Sequence, residues 1–279
     1  MKHSFPPLQD LPSLCQLQSE IGFLSGTKPI RYDCCKGSCC LFVDSYADLD
    51  ACPCDARNRP RGIFEYIPLI PRLQAMFADA EMSETLRKGS RQATSDRKIS
   101  DIWDSLHIRR LRQRNVTVEE TVFDHKFFDK ASDIAIGLSA DGVCPFKNRK
   151  ATCWPLIGVL YNLPPELRFL LDLVLCFGVI PGPREPKDIG SFLIPLRNEL
   201  WRLMRGVATY DAAQEETFLL RSYLVRVFGD MPAMAKLMMM RRPNAVHPCR
   251  ECKIEGTTGG GKTNYVLLRR KKRGQQCER

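Results

Sequence analysis

Apolar and polar positions change their rhythm along this chain. Leu73, Met76 and Phe77, with Met82 and Leu86 beyond, recur at the steps of one helix face. Asp101 to Arg114 predicts a second helix with Ser100 as its N-cap, after a polar loop at 88–100. Residues 115–132 keep no single period. From residue 134 the apolar runs become short and dense. Ile134 to Leu138, Leu156 to Tyr161, Leu171 to Ile180 and Thr217 to Phe228 have strand length and end at turn residues. Between the third and fourth runs, Lys187 to Val207 places Ile189, Phe192, Leu193, Leu196, Leu200, Leu203 and Met204 on one helical side. Phe64 to Pro68 reads as a short strand and Pro232 to Met240 as a short helix. The order strand, strand, strand, helix, strand predicts an α/β core.

Two aspartates mark the ends of the first and last of these strands. Asp141 follows Ile134–Leu138, Asp230 follows Thr217–Phe228, and they lie 89 residues apart. An aspartate after a strand is commonly a turn residue or a helix cap. Two of them at the ends of neighbouring strands can also hold a hard divalent cation through oxygen ligands.

Composition narrows the class. At 279 residues, 44% hydrophobic and 27% charged, the chain has the make-up of a globular protein. The longest apolar candidate, Phe169 to Ile180, is short for a membrane span and carries Asp172. The start, Met1 to Pro7, lacks the apolar stretch of a secretory signal, so an intracellular protein is expected. A net charge of +10 suits a polyanion, nucleic acid before membrane. The run Arg269, Arg270, Lys271, Lys272 and Arg273 fits phosphate contacts, a nuclear-import signal or a solvated tail.

Thirteen cysteines in such a chain argue for metal rather than a disulfide framework. Cys34, Cys35, Cys39, Cys40, Cys52 and Cys54 crowd into 21 residues, and Cys249 and Cys252 form a C-x-x-C beside His247. That pair supplies only two ligands, so a Zn²⁺ site there needs His247 or another cysteine. Gly256 to Thr263 matches the phosphate-binding pattern G-x₄-G-K-[ST]. It lacks the apolar strand before and the helix after that a nucleotide site requires, and is expected to be a hairpin loop.

Several phrases together resemble the transposases of CACTA-type (En/Spm-like) DNA transposons, closest to their fungal forms. They are Tyr46 to Asp50, Ile67 to Leu73, Asp141 to Phe146, Tyr161 to Arg168, Ile180 to Pro183 and Gly229 to Ala233, in order between about residues 31 and 268. The resemblance implies an RNase H-like mixed sheet with flanking helices, preceded by a small cysteine-rich zinc-ribbon-like module. It implies DNA as partner (transposon ends and target), a nuclear location, no membrane and a homo-oligomer. It also implies Mg²⁺ or Mn²⁺ held by Asp141 and Asp230, cleaving DNA and joining its 3′-OH to a target. Cys35, Cys39, Cys52 and Cys54 correspond to its zinc knuckles, although Cys52-Pro53-Cys54 is one residue shorter than the expected C-P-x-C.

The expected layout is an irregular leader at 1–30, the cysteine module at 31–66, a helical linker region at 67–132, the core at 133–245, and the C-x-x-C segment with its basic tail at 246–279. The family's closing glutamate sits on a later helix. Only Glu251, Glu255 and Glu278 follow Asp230, none in a helical, apolar context, so a C-terminally truncated transposase with an incomplete triad is expected. The rivals are a non-catalytic DNA- or zinc-binding remnant and, more remotely, a P-loop nucleotide binder.

Overall fold

The computed structural model describes residues 27–54, 60–89, 99–144, 152–182, 185–240, 256–259 and 262–265. Residues 1–26 of the leader, the pair Cys249 and Cys252 with His247, and the run Arg269, Arg270, Lys271, Lys272 and Arg273 lie outside them.

The chain enters through an antiparallel hairpin, β1 (Ile30–Cys35) and β2 (Pro60–Tyr66). Two amphipathic helices follow, α1 (Leu69–Phe77) and α2 (Ala80–Gly89), and the single helical pattern of the sequence breaks between them. Leu69, Ile70, Leu73 and Phe77 of α1 are buried, as is Leu86 of α2. Pro68 precedes α1 and gives it no side-chain cap. The cap comes instead from Glu199, far along the chain. Its carboxylate accepts from the backbone N–H groups of Leu69 and Ile70 at 2.6 and 3.1 Å, and from the Tyr66 hydroxyl at 2.5 Å. Those amides have no partner inside the helix, so a carboxylate satisfies both donors and the helix dipole.

The expected helix at 101–114 is replaced by two shorter pieces. A 3₁₀ turn, Ile102–Asp104, is capped by Asp101, and α3 (Leu106–Leu111) is capped by Ser105, whose hydroxyl accepts from Ile108 N. Ser105 is extended, with φ −67° and ψ 148°, which interrupts the helix. Ser100 is not an N-cap; its N–H and hydroxyl both donate to Asp104. The aperiodic residues after it form a hairpin, β3 (Asn115–Val118) and β4 (Thr121–Lys126).

The central sheet has four strands in the order β10-β5-β6-β7. They are β5 (Ile134–Ala140), β6 (Trp154–Leu160), β7 (Leu175–Ile180) and β10 (Ser222–Phe228). β6 runs antiparallel to β5 and β7, and β10 runs parallel to β5. A parallel pair needs a crossover. Helix α4 (Ile189–Arg205) and the hairpin of β8 (Val207–Asp211) and β9 (Glu216–Leu220) supply it. Asp188 caps α4 by accepting from Ser191 N, and Ile189, Phe192, Leu196, Leu200 and Leu203 are buried on its inner side.

Side chains alternate across β5 as a two-faced strand requires. Ile134, Ile136, Leu138 and Ala140 join α1, α2 and α4 in the main core. Ala135 faces a second cluster with Trp103, Ile108, Val116, Phe128, Tyr161 and Tyr223.

Two further expectations need correction. The third strand begins at Leu175, not Leu171, because Leu170 to Val174 turn back on themselves and leave Leu171 92% exposed. The run 217–228 is two strands. β9 pairs with β8 and β10 with β5, and Arg221, between them, accepts from Ile134 N with its carbonyl.

Beneath the start of β5 lies a buried carboxyl. Asp133 is fully buried, and its carbonyl accepts from the Asn162 amide, which also donates to Leu86 O and accepts from Ala135 N. Its Oδ2 accepts from Lys130 N at 3.3 Å, while Oδ1 has no partner among the described residues. Burial pushes the carboxyl up to about 6 from 3.8. The folded state thus holds this proton more tightly than the unfolded chain. The stabilisation is complete below about pH 4 and is lost as pH rises through about 6. Asp133→Asn is expected to gain up to about 3 kcal/mol near pH 8 and nothing near pH 4. Urea denaturation at the two pH values measures this, and equal effects at both would refute it.

Candidate metal centres

The parallel pairing of β5 with β10 brings the two aspartates to the same end of the sheet. The register runs from Ser222 opposite Ile134 to Phe228 opposite Ser139. Continued two residues past its last pair, that register would set Asp230 across from Asp141. The chains remain close there: a Cβ placed on Gly229 would lie 3.7 Å from the carbonyl oxygen of Ala140. Both aspartates are exposed.

Each carboxylate is oriented by the backbone. Asp230 is the N-cap of α5 (Met231–Leu237), its Oδ1 accepting from Ala233 N at 2.7 Å. Oδ1 of Asp141 accepts from Gly142 N at 2.6 Å. The loop beyond is held by an antiparallel bridge, with Val143 and Cys153 each donating to the other's carbonyl at 2.9 Å. A Cβ at Gly142 would come 2.9 Å from the Trp154 ring, so a side chain there would force the ring to shift. The cap and turn roles leave Oδ2 of each aspartate as the oxygen suited to a cation. A pair of oriented, solvent-facing carboxylates fits a hard divalent ion that keeps several waters. Among the described residues, no third acidic group completes a three-ligand cluster with them.

The second centre is built from sulfur. The Sγ atoms of Cys35, Cys39 and Cys52 all lie within 4.8 Å of one another, and all three residues are buried. Four thiolates at the usual Zn–S length stand roughly 3.8 Å apart, so this spacing suits zinc with little movement. β1 brings Cys35, and the turn after it returns Cys39 and Cys40, with Cys35 N donating to Cys40 O at 3.0 Å. Burial, with the neighbouring Cys35 and Cys52 thiols, pushes Cys39 up to about 12. Cys40 is raised as well, by burial and by Cys52. A bound cation would reverse this, holding the thiols as thiolates.

Two cysteines compete for the fourth position. Cys54 is exposed and Cys40 is 2% exposed, and both sit close enough to Cys52 for its thiol to raise their own. Cys34 is excluded, because it packs into the main core with Leu41 and Phe64. The cysteine turn is fastened to the start of α4. Asp188 N donates to Cys39 O at 2.8 Å, Leu41 N to Ser191 Oγ at 2.9 Å, and the Ser38 hydroxyl to Pro181 O.

The sequence did not single out the neighbours of the aspartate pair. Trp154 covers Gly142, Lys236 lies over the Trp154 ring, and Glu185 pairs with Lys236. Only Lys236 carried a signal, six residues after Asp230 on the same short helix. The G-x₄-G-K-T segment forms an antiparallel hairpin of β11 (Gly256–Gly259) and β12 (Lys262–Tyr265), with Gly259 opposite Lys262. A nucleotide site needs a helix after the glycines, and a strand stands there.

Neither the curated proteins nor the solved structures contain a match to this chain. A family model does match. It spans residues 115–276, from β3 past β12, and so includes both strand-end aspartates while leaving the cysteine turn outside. That span is more than half of the chain, and the protein belongs to the transposase family tnp2.

Proposed function

We propose that this protein acts on DNA as a CACTA-type (En/Spm-like) transposase, with Asp141 and Asp230 holding Mg²⁺ or Mn²⁺ at the strand ends. The observation that carries the reading is the parallel register of β5 and β10, whose last pair, Ser139 and Phe228, lies two residues before each aspartate. The strand order, with a single parallel pair beside two antiparallel ones and α4 in the crossover, supports an RNase H-like core. The net charge of +10 suits a DNA partner, and the basic run at Arg269–Arg273 suits work in the nucleus.

In this reading the backbone aims the carboxylates. Asp230 is fixed by Ala233 N and Asp141 by Gly142 N, so neither must be ordered when substrate arrives. Bound divalent metal would supply charge for the attacking and leaving oxygens of the phosphodiester. A third acidic ligand would have to come from outside the cluster now described, and Glu251, Glu255 and Glu278 lie outside the described residues. A second reading, which the net charge of +10 fits equally, is a DNA-binding protein of transposase descent without independent cleavage.

Mn²⁺ calorimetry, with Asp141→Ala and Asp230→Ala beside the wild type, tests the metal site. We expect wild-type binding and its loss in both variants. A folded wild type that takes up no Mn²⁺ would sink the proposal. Metal-dependent nicking of duplex DNA would then separate the two readings, since the second expects binding alone.

A further inference from the structure

Lys236 occupies an unusual position for an ammonium group. It projects from α5, the helix capped by Asp230, and its Nζ lies 4.7 Å from the centre of the Trp154 ring. The same ring closes over Gly142, the residue after Asp141. One indole therefore connects the cation to the Asp141 loop, and one short helix connects it to Asp230. The other partner of Lys236 is the carboxylate of Glu185, which is 57% exposed against 24% for the lysine.

The arrangement of Trp154 adds to this. The residue is 4% exposed, and its buried Nε1 has no hydrogen-bond partner among the described residues. A buried indole N–H normally finds an acceptor. Here the ring is held by packing, by the missing side chain at Gly142 and by the ammonium above it. It acts as a platform, and a cation over an aromatic face is positioned without losing its charge. An ammonium offers three donors. One aromatic face and one exposed carboxylate leave it able to exchange partners.

We propose that Lys236 binds a backbone phosphate of the DNA beside the aspartate pair, and that Glu185 occupies it as an internal substitute for that phosphate until DNA arrives. The proposal rests on the transposase reading and adds to it a strand-positioning residue and its competitor. The exchange breaks no covalent bond: one anionic oxygen replaces another on the ammonium, and the released Glu185 carboxylate turns to solvent.

The test is anisotropy of a labelled DNA duplex titrated with full-length protein across a KCl series, with Ca²⁺ present. Wild type, Glu185→Gln, Lys236→Gln and Lys236→Arg are compared. Glu185→Gln removes the competitor and keeps the cation, so binding should tighten about fivefold, the scale of an exposed ion pair. Lys236→Gln should weaken binding and lower the slope of log affinity against log salt by about 0.9, the loss of one phosphate contact. Lys236→Arg should restore the slope. Weaker binding by Glu185→Gln would mark the pair as merely structural and overturn the proposal. Unchanged affinity and slope in Glu185→Gln and Lys236→Gln, with wild type binding normally, would also overturn it. Should Lys236→Gln fail to fold, Glu185→Gln still decides. A wild type that binds no duplex at any salt would overturn the transposase reading itself, which separates the two failures.

Discussion

With Zn²⁺ bound at Cys35, Cys39 and Cys52, a chelator is expected to unfold far more than the cysteine turn. Structural zinc contributes on the order of 10 kcal/mol to the domains it holds, comparable to the whole stability of an ordinary domain. The cysteine turn is not a detachable ornament. Cys34 and Leu41 lie in the main core, and the turn hydrogen-bonds the first residues of α4 through Asp188 and Ser191. Loss of a bound ion would release that helix end as well. Thermal melts of zinc-loaded and chelated protein should differ in their main transition. Cys39→Ser and Cys52→Ser should behave like chelated protein, while Cys144→Ser, at an exposed site, should not. Zinc content of Cys54→Ser against Cys40→Ser assigns the fourth ligand. Identical melts with and without chelator would refute the site.

The second large effect is expected at Arg168. Its guanidinium is almost enclosed, yet every side of it is met. Nε donates to Leu163 O at 2.7 Å, Nη1 to Asp101 Oδ1 at 2.8 Å, and Nη2 to Asp101 Oδ2 at 2.5 Å and Tyr161 O at 2.8 Å. The group also lies 5.4 Å from the centre of the Tyr161 ring. Asp101 in turn caps the 3₁₀ turn that carries Trp103, whose Nε1 donates to the same Tyr161 carbonyl. Removing one partner of a buried ion pair strands the other, so Arg168→Ala should cost about 3–5 kcal/mol. In a chain of this size that is a fall of about 10 °C in melting temperature. Arg168→Lys should recover only part of it, because an ammonium cannot make the two-pronged contact. A loss below about 1 kcal/mol in the alanine variant would contradict this account. Limited proteolysis should find the segment around Trp103 cut first.

The elements that were readable in the sequence share one property: their own residues set them. Ile134 to Leu138 and the face from Ile189 to Leu203 carry strong periodicity and bury the positions it marks. Asp141 and Asp230 could be flagged for the same reason, as polar stops to apolar runs. The failures lie where a partner decides. Nothing local in Thr217 to Phe228 marks Arg221 as the point where pairing switches from β8 to β5. Leu170 and Leu171 read as strand because they are apolar, yet Pro164 and Pro165 begin turns that carry them to the surface. The helix expected at 101–114 failed because Asp101 and Ser105 each cap a separate piece. At the sulfur centre the clustering of cysteines was legible. Its membership was not, because Cys34 and Cys35 are neighbours in sequence and point into different clusters.

The pairing of β5 with β10 has a further consequence, in time rather than space. It joins residues almost ninety positions apart, while β5 meets β6 and β6 meets β7 across far shorter separations. Closing a long loop costs entropy before any contact repays it, so the most distant pairing in a sheet tends to form late. β10 is also the outer strand of the sheet, held on one side only. During synthesis, Asp141 leaves the ribosome well before Asp230 exists, and the antiparallel strands can assemble in the interval. The carboxylate pair is therefore expected to be completed late, and to separate early when the sheet opens at β10.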